Sequence, residues 1–557
     1  MYILGITGPL GHDAAACLMH EGRIVAMVEE ERLTRKPHSP GGQMPYLAME
    51  YCLSHAGITL DEVDVIALSW DQSLIPDTKI KLPDYFNDVN NLFPKQKIHY
   101  RKLPRVEVVD HHLAHAASTF YFSPFETAGV LVVDGAGEDT CTTLYHGQNG
   151  RLKKLDSIHH NESLGEFYAT VTEFVGFDWN DPGKTMGLAS YGEAVYEFPR
   201  LMIDAKRGYH INIEHSLHMT QVENIWKREF LRLKIKPNAS MRLYNPVTFR
   251  HSDHLEFAEE HKNLAASAQR ALEQAYFSLA RVLVERTGSR NLCLAGGVAL
   301  NCVANGKLAR SGIVDDLFIQ PAANDAGAAI GAAAEIAVQY GYQIEKLVGP
   351  YAGPSFTNDE IIRSVEHLGL SYKRADDVAE LAAESLAQGY SVGWFQGRAE
   401  YGPRALGNRS MLANPSVPGI QNHMNHNVKF RESFRPFGPS VIEEEAGDWF
   451  EHMSPSRYML KSVNVKVDKR DKIPGVVHVD GSSRPQTVTA ETNWRYYDLL
   501  QKFKAKTGLP MVLNTSFNLR GEPMVCTPYD AVRTFMTGAL DVLIMEDIVL
   551  KKPQVFM

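Results

Sequence analysis

The sequence predicts an α/β protein of two domains, the first of them duplicated, and three observations carry that reading. Residues 2–6, 7–12 and 14–19 read as a strand, a glycine-rich turn and a strand, with Glu21-Gly22 as a turn before another strand at 23–28. The same order returns at 129–133, 134–137 and 142–145, with Asn149-Gly150 as the turn before Arg151-Leu152. Two copies of one pattern point to two halves, each opening with a turn whose backbone N–H groups can hold phosphate oxygens. The third observation is the Pro- and Gly-rich stretch 349–355, which sets the domains at 1–350 and 351–557.

The remaining elements follow from periodicity. Residues 44–56 have helical character and stop at Gly57, and 63–68 form an apolar strand. The Pro- and Asn-rich segment 75–105 is a surface excursion. Apolar residues at 264, 268, 271, 272, 275, 279, 282 and 283 keep helical spacing, with Gly288 at the expected stop. Residues 291–294 form a strand leading into Ala295-Gly-Gly-Val-Ala-Leu-Asn301, another strand-to-helix glycine turn. Past the boundary, 378–388 predicts a helix, and 391–395 and 510–513 predict strands.

Composition narrows the function. With 557 residues, 44% hydrophobic and 22% charged, the chain can bury a large core and does not have a disordered profile. Its net charge of −9 supplies no overall field for nucleic acid or an anionic membrane, so neither is an expected partner. Residues 1–6 do not make a signal peptide, and the small-apolar run 326–334 is too short to cross a bilayer. Six cysteines without a C-x-x-C pair are expected as buried thiols, which places the protein in a reducing cytoplasm.

Four constellations carry chemistry. In His111-His-Leu-Ala-His115, His111 and His115 stand one helical turn apart and can reach one metal, while His112 points elsewhere. Asp134, after a strand, and Asp325, in Ala322-Ala-Asn-Asp-Ala-Gly327, offer oxygen donors, and a mixed nitrogen and oxygen set suits iron(II), manganese or zinc. His12, beside Asp13 at the end of the first glycine turn, can take a proton from an attacking hydroxyl. Pro182-Gly-Lys184, and Gly296-Gly297 with Asn301, resemble nucleotide-contacting turns but match neither the P-loop nor the dinucleotide fingerprint. Residues 398–435 hold Arg398, Arg404, Arg409, Lys429, Arg431 and Arg435 against Glu400 and Glu432, an anion patch that Arg484 and Leu513-Asn-Thr-Ser-Phe-Asn518 would complete.

These residues, with Gly11-His-Asp-Ala14, Glu29-Glu-Glu-Arg32, Arg35-Lys36, Val133-Asp-Gly135, Pro182-Gly-Lys-Thr-Met-Gly-Leu188, Gly402-Pro-Arg-Ala-Leu-Gly407 and Arg435-Pro-Phe437, cover nearly the whole chain. Together they resemble the O-carbamoyltransferase family that includes the tobramycin and cephamycin biosynthetic enzymes and the nodulation protein U group. The resemblance implies an N-terminal domain with the actin-like ATPase fold and a C-terminal α/β domain similar to threonylcarbamoyl-AMP synthase. It implies that ATP and carbamoyl phosphate, with magnesium, give O-carbamoyladenylate in the second domain, and that the first passes the carbamoyl group to a hydroxylated small molecule of secondary metabolism. By the same resemblance His111, His115, Asp134 and Asp325 match iron ligands and His12 the proton acceptor. Lys429, Arg435, Arg484, Asn514 and Ser516 match the adenylation pocket, with Arg404 beside them. Lys36, Gly135, Gly165, Lys184, Gly297 and Asn301 match nucleotide or adenylate contacts, with Pro37 standing where some relatives have a second lysine.

Two other readings stay open on the sequence: a tRNA threonylcarbamoyladenosine-type fusion, which would need a basic surface, and a non-catalytic nucleotide sensor. Residues 206–250 hold nine cations against three glutamates; should they border the acceptor pocket, a neutral or anionic acceptor is expected over a polycation.

Overall fold

Both hairpin patterns form in the computed structural model, which describes residues 1–8, 10–39, 43–75, 88–238 and 257–552. The chain divides into two compact units, Met1–Glu30 with His38–Leu347, and Glu31–Pro37 with Val348–Met557. The 31–37 excursion had no signal in composition or periodicity. It is pinned within the second unit by Arg32, whose guanidinium donates to the Gly402 carbonyl (2.8 Å), and by Arg35, which donates to the Pro523 carbonyl (2.8 Å) and pairs with Asp530 (3.3 Å).

In the first unit, β1 (Tyr2–Thr7), β2 (Ala15–His20) and β3 (Arg23–Glu29) make an antiparallel meander. β4 (Val65–Leu68) and β5 (Arg105–Val108) add in parallel on the other side of β1, giving the order β3-β2-β1-β4-β5. The second half repeats this. β6 (Thr127–Val133), β7 (Thr140–Gln148) and β8 (Arg151–His159) form the meander. A separate two-stranded ribbon, β9 (Leu201–Asp204) and β10 (Gly208–Ile211), precedes β11 (Asn291–Ala295) and β12 (Asp316–Ile319), which complete the order β12-β11-β6-β7-β8. Strand order and direction agree between the halves, which is the duplicated actin-like ATPase fold. The two hairpin turns match as well, since Glu21, Gly22, Asn149 and Gly150 all have positive φ (50°, 82°, 54° and 66°), the backbone that two-residue turns between twisted strands require.

The helices sit close to where periodicity placed them. Tyr46–Ala56 ends at left-handed Gly57, and Glu259–Thr287 ends at left-handed Gly288. The second of these begins before residue 264 because Glu259 and Glu260 favour the positive N-terminal end of a helix. Within the 75–105 excursion, residues 76–87 lie outside the described residues. Among the described residues, no helix is long and apolar enough to cross a membrane.

The second unit is built on an eight-stranded mixed sheet. Its spatial order is Lys373–Arg374, Ile548–Lys551, Val542–Met545, Val392–Phe395, Arg409–Ala413, Met511–Ser516, Gly438–Ile442 and Gln486–Val488. Val378–Ala387 and the longer Ala490–Thr507 are among its helices, with Leu386, Tyr496, Leu499 and Phe503 fully buried in its core.

The helices His111–Phe120 and Asp325–Gln339 of the first unit carry three candidate ligands between them, and their separation is set by a missing side chain. A Cβ on Gly331 would stand 1.7 Å from the Ala114 carbonyl oxygen, so only glycine permits this approach. Gly331→Ala is expected to lower the unfolding free energy by about 1–3 kcal/mol through overpacking, read as a shift of the urea midpoint at unchanged slope.

Candidate functional site

Each half of the first unit sends donors to one buried point. Asp110 caps the His111–Phe120 helix by accepting from Leu113 N–H (2.7 Å), which starts the helix so that His111 and His115 share a face. Asp134 follows β6, and Asp325 opens the Asp325–Gln339 helix. The Nε2 atoms of His111 and His115 are 3.1 Å apart and lie 3.4 and 3.5 Å from Asp134 Oδ2 and 3.6 and 3.7 Å from Asp325 Oδ1. All four residues are buried.

This donor set fits a divalent cation. Ligand atoms held about 2.1 Å from one centre stand roughly 3.0–3.4 Å apart, close to the observed edges. His111 Nδ1 lies 3.0 Å from the Ser69 carbonyl, which can only accept, so Nε2 turns a lone pair toward the other three donors. Burial opposes protonation of His111, yet Asp325 and Asp134 outweigh it and raise its pKa to about 10. The imidazoles in turn hold Asp134 well below the usual carboxylate range against its burial. Two neighbouring buried carboxylates thus call for positive charge, from protons or from a metal.

His12 stands beside this cluster in the same unit. Its Nδ1 is 2.8 Å from Asp13 Oδ2, and Asp13, at φ 58°, also accepts from Asn324 Nδ2 (2.7 Å) and faces His38 Nδ1 (3.0 Å). Burial opposes the charge on His12, but Asp13 and Asp325 raise its pKa to about 10. Asp13 therefore accepts the hydrogen bond from Nδ1–H and leaves Nε2 as the atom that gains or loses a proton. The edge of the His12 ring meets Trp179, with centroids 6.2 Å apart.

The glycines expected to contact nucleotide gather around Asp134. Gly297 N–H donates to Asp134 Oδ1 (2.7 Å), and a Cβ on Gly165 would meet the Asp134 carbonyl and Gly135 at 2.8 Å. Asn301 and Lys184 are engaged within the protein. Asn301 caps the Cys302–Ala309 helix through Ala304 N–H (3.0 Å) and exchanges amide hydrogen bonds with Gln269 (2.9 and 3.1 Å). Lys184 pairs with Asp181 (2.6 Å). Lys36 belongs to the second unit and is exposed.

In the second unit the expected anion patch splits in two. Arg398 and Arg409 are not available to an anion, which corrects the sequence reading. Arg409 is fully buried, donates to the carbonyls of Gln396 (2.7 Å), Pro354 (2.8 Å), Asn408 and Gly397 (both 3.1 Å), and stacks 3.6 Å from the Phe395 ring centre. Arg398 donates to the carbonyls of Gly353 (3.1 Å) and Ala352. A guanidinium surrounded by loop carbonyls serves as a staple.

Lys429, Arg431, Arg435 and Arg484 behave differently, because they crowd one another. A single π-helical turn at Met424–Val428 delivers Lys429, whose Nζ donates to the Ser516 carbonyl (2.7 Å), Ser516 Oγ (3.2 Å), the Asn518 carbonyl (2.8 Å) and Asn518 Oδ1. Burial, then Arg431 and Arg435, hold the Lys429 ammonium well below the ordinary lysine pKa, and burial with Arg435 does the same to Arg431. Arg435 stands 3.7 Å from Glu432, and Arg484 Nε is buried without a partner among the described residues. Asn514 lies on the same face of its strand as Ser516 and donates to the Ala405 carbonyl (3.2 Å) in the turn that holds Arg404.

Sequence reasoning missed several supporting residues. Trp70 stacks on His111, with ring centres 3.9 Å apart, and Glu138 accepts from the N–H groups of His111 (3.0 Å) and Asp71 (2.8 Å). Glu400 accepts from the N–H groups of Leu406, Asn408 and Arg409 (2.8, 2.7 and 3.1 Å) and shapes the Arg404 turn. Asn324 had a usable signal, its place next to Asp325. In the basic 206–250 segment, Arg207 pairs with buried Glu162 (3.0 Å) and Lys227 with Glu173 (2.6 Å), while 239–250 lie outside the described residues.

Comparison with known proteins agrees with a carbamoyl-transferring enzyme. The Carbamoyltransferase N-terminus family matches residues 2–85 and 80–334, and the Carbamoyltransferase C-terminus family matches 383–552. The chain is 40% identical to an uncharacterised protein of Synechocystis sp., over 99% of this chain and 97% of that one. It is 37% identical to nodulation protein NolNO of Sinorhizobium fredii, over 97% and 79%. Among solved structures, component A of (R)-2-hydroxyglutaryl-CoA dehydratase from Acidaminococcus fermentans aligns at 14% identity and a TM-score of 0.33, over 61% of this chain and 98% of that one. The protein belongs to the carbamoyltransferase family and is an enzyme of carbamoyl transfer.

Two outcomes test the sites. His111→Ala and His115→Ala should each reduce bound divalent metal at least tenfold in elemental analysis of the purified protein. Sulfate, which does not itself titrate near neutrality, should bind the second unit more tightly as pH falls, because the anion favours the charged form of a lysine whose pKa is depressed. Lys429→Met should flatten that pH dependence in a calorimetric titration.

Proposed function

We propose that this enzyme is an ATP-dependent O-carbamoyltransferase whose two units divide the work. In the second unit carbamoyl phosphate, water and ATP, taken with magnesium, give O-carbamoyladenylate, phosphate and pyrophosphate. In the first, the oxygen of a hydroxylated small molecule attacks the carbonyl carbon and releases AMP. The observation that carries this reading is the crowding of Lys429, Arg431, Arg435 and Arg484, which have too few carboxylates to pair with and so favour a polyphosphate or acyl phosphate.

The residues supply specific help. Lys429 and Arg435 neutralise charge on the phosphoryl groups, and Arg484 Nε offers a buried donor to an oxygen. In the first unit, backbone N–H groups at Gly135 and Gly165 hold the adenylate phosphate while that of Gly297 fixes Asp134. Once a cation held by Asp325 and Asp134 offsets the carboxylates that otherwise keep His12 protonated, His12 Nε2 takes the acceptor's proton while Asp13 keeps Nδ1 protonated. His111, His115, Asp134 and Asp325 hold the metal, which we assign as iron(II). When bound, it supplies a Lewis acid that polarises the carbamoyl carbonyl or the phosphate.

The half-reactions should separate by mutation. Arg435→Ala should abolish pyrophosphate release from ATP and carbamoyl phosphate yet keep transfer from supplied carbamoyladenylate. His12→Ala should keep adenylate formation and slow transfer by roughly 10²–10⁴-fold. Loss of both activities in each folded variant would overturn the division of labour.

A further inference from the structure

We infer that Asn514 distinguishes a carbamoyl donor from other acyl phosphates and that Gln486 and Ser440 position it to do so, an inference that rests on the second unit being the adenylation site. Asn514 is 2% exposed in the Met511–Ser516 strand. Its Nδ2 places two hydrogens among three acceptors, the Ala405 carbonyl (3.2 Å), Ser440 Oγ (2.9 Å) and Gln486 Oε1 (3.2 Å). Gln486 Nε2 donates to the Leu406 carbonyl (2.8 Å), and Ser440 Oγ donates to Gln486 Oε1 (2.7 Å).

A carbonyl oxygen can only accept, so the consecutive carbonyls of residues 405 and 406 fix which end of each amide faces them. Gln486 is held with its nitrogen on Leu406 and its oxygen toward Ser440 and Asn514. Asn514 is held with its nitrogen on Ala405, and Tyr351 braces the same turn by donating to the Leu406 carbonyl (2.8 Å). Rotating either amide by half a turn would set oxygen against carbonyl oxygen. The lock leaves Asn514 Oδ1 buried with no donor among the described residues.

The cation cluster of the same unit consists of donors alone. Lys429, Arg431, Arg435 and Arg484 can only give hydrogen bonds, and they suit the anionic end of a ligand. Asn514 and Ser516 face the same way, about 7 Å apart along the strand, and Lys429 Nζ rests on Ser516. A ligand that fits has a phosphate at one end and an N–H donor a short distance away. In carbamoyl phosphate only a bridging oxygen and the carbonyl carbon separate phosphorus from the amino group. Acetyl phosphate has the same charge and nearly the same shape, with a methyl group where the amino group stands. Seating that methyl against Asn514 Oδ1 would leave the acceptor unpaired and dry, which is how enzymes reject an analogue lacking a hydrogen-bonding group.

The test measures pyrophosphate release by the full-length protein with ATP and either acyl phosphate. The wild type should favour carbamoyl over acetyl phosphate by about 100-fold or more in kcat/KM. Asn514→Leu should collapse that ratio toward one, and Gln486→Leu should reduce it about tenfold, while Ser440→Thr, which keeps a hydroxyl, should stay near the wild type. A wild type that uses acetyl phosphate as well as carbamoyl phosphate would overturn the inference without recourse to any variant, as would an unchanged ratio in folded Asn514→Leu. The adenine amino group is the other N–H donor among the substrates. Loss of preference for ATP over ITP in Asn514→Leu, with the acyl ratio intact, would assign Asn514 to the base instead and overturn the inference. If the wild type releases no pyrophosphate with carbamoyl phosphate at all, the adenylation reading itself fails and takes this inference with it.

Discussion

Two carboxylates buried side by side set the terms for the first unit. Asp134 and Asp325 would repel each other in a dry site unless positive charge stood between them, and His111 and His115 are placed to share it. Much of the surrounding structure holds that arrangement. Ser69 fixes the His111 tautomer, Trp70 stacks on its ring, and Glu138 takes the N–H groups of His111 and Asp71. Gly11 belongs to the same frame, since a Cβ there would stand 2.4 Å from Asp325 Oδ2.

The second unit faces the opposite constraint, several cations in a place with few carboxylates. How each cation is satisfied separates scaffold from site. Arg409 and Arg398 spend their donors on loop carbonyls, and Arg32 and Arg35 pin residues 31–37 in the same way. Lys429 also donates to protein oxygens, at Ser516 and Asn518, and what sets it and Arg431 apart is that burial and basic neighbours lower their pKa values, a condition that an anion relieves. The buried carboxylates of the first unit therefore call for positive charge, and the crowded cations of the second for negative charge.

Much of this was legible in the sequence where the signal was local. The repeated strand, glycine turn and hairpin revealed the duplication because each half needs the same left-handed turn residues, Glu21-Gly22 and Asn149-Gly150. The spacing of His111 and His115 placed two ligands on one helix face, since helical geometry fixes that relation within five residues. Signals carried by partners distant in sequence were not legible. Nothing local distinguishes Arg409 from Arg435, because the difference lies in the Pro354 and Gln396 carbonyls that surround the first. Likewise Gln486 and Ser440 are ordinary strand residues until pairing of Gly438–Ile442 with Gln486–Val488 brings them together beside Asn514. The amide pair of Asn301 and Gln269 was not legible for the same reason, its members being 32 residues apart.

The central claim, a divalent metal held by two imidazoles and two carboxylates, is most directly tested by X-ray absorption at the metal edge of the purified full-length protein. The account predicts a first shell of nitrogen and oxygen scatterers at about 2.0–2.2 Å, with the outer-shell pattern of two imidazoles and no sulfur. A shell of oxygen alone, a sulfur scatterer, or metal-free protein that remains active in carbamoyl transfer would contradict it.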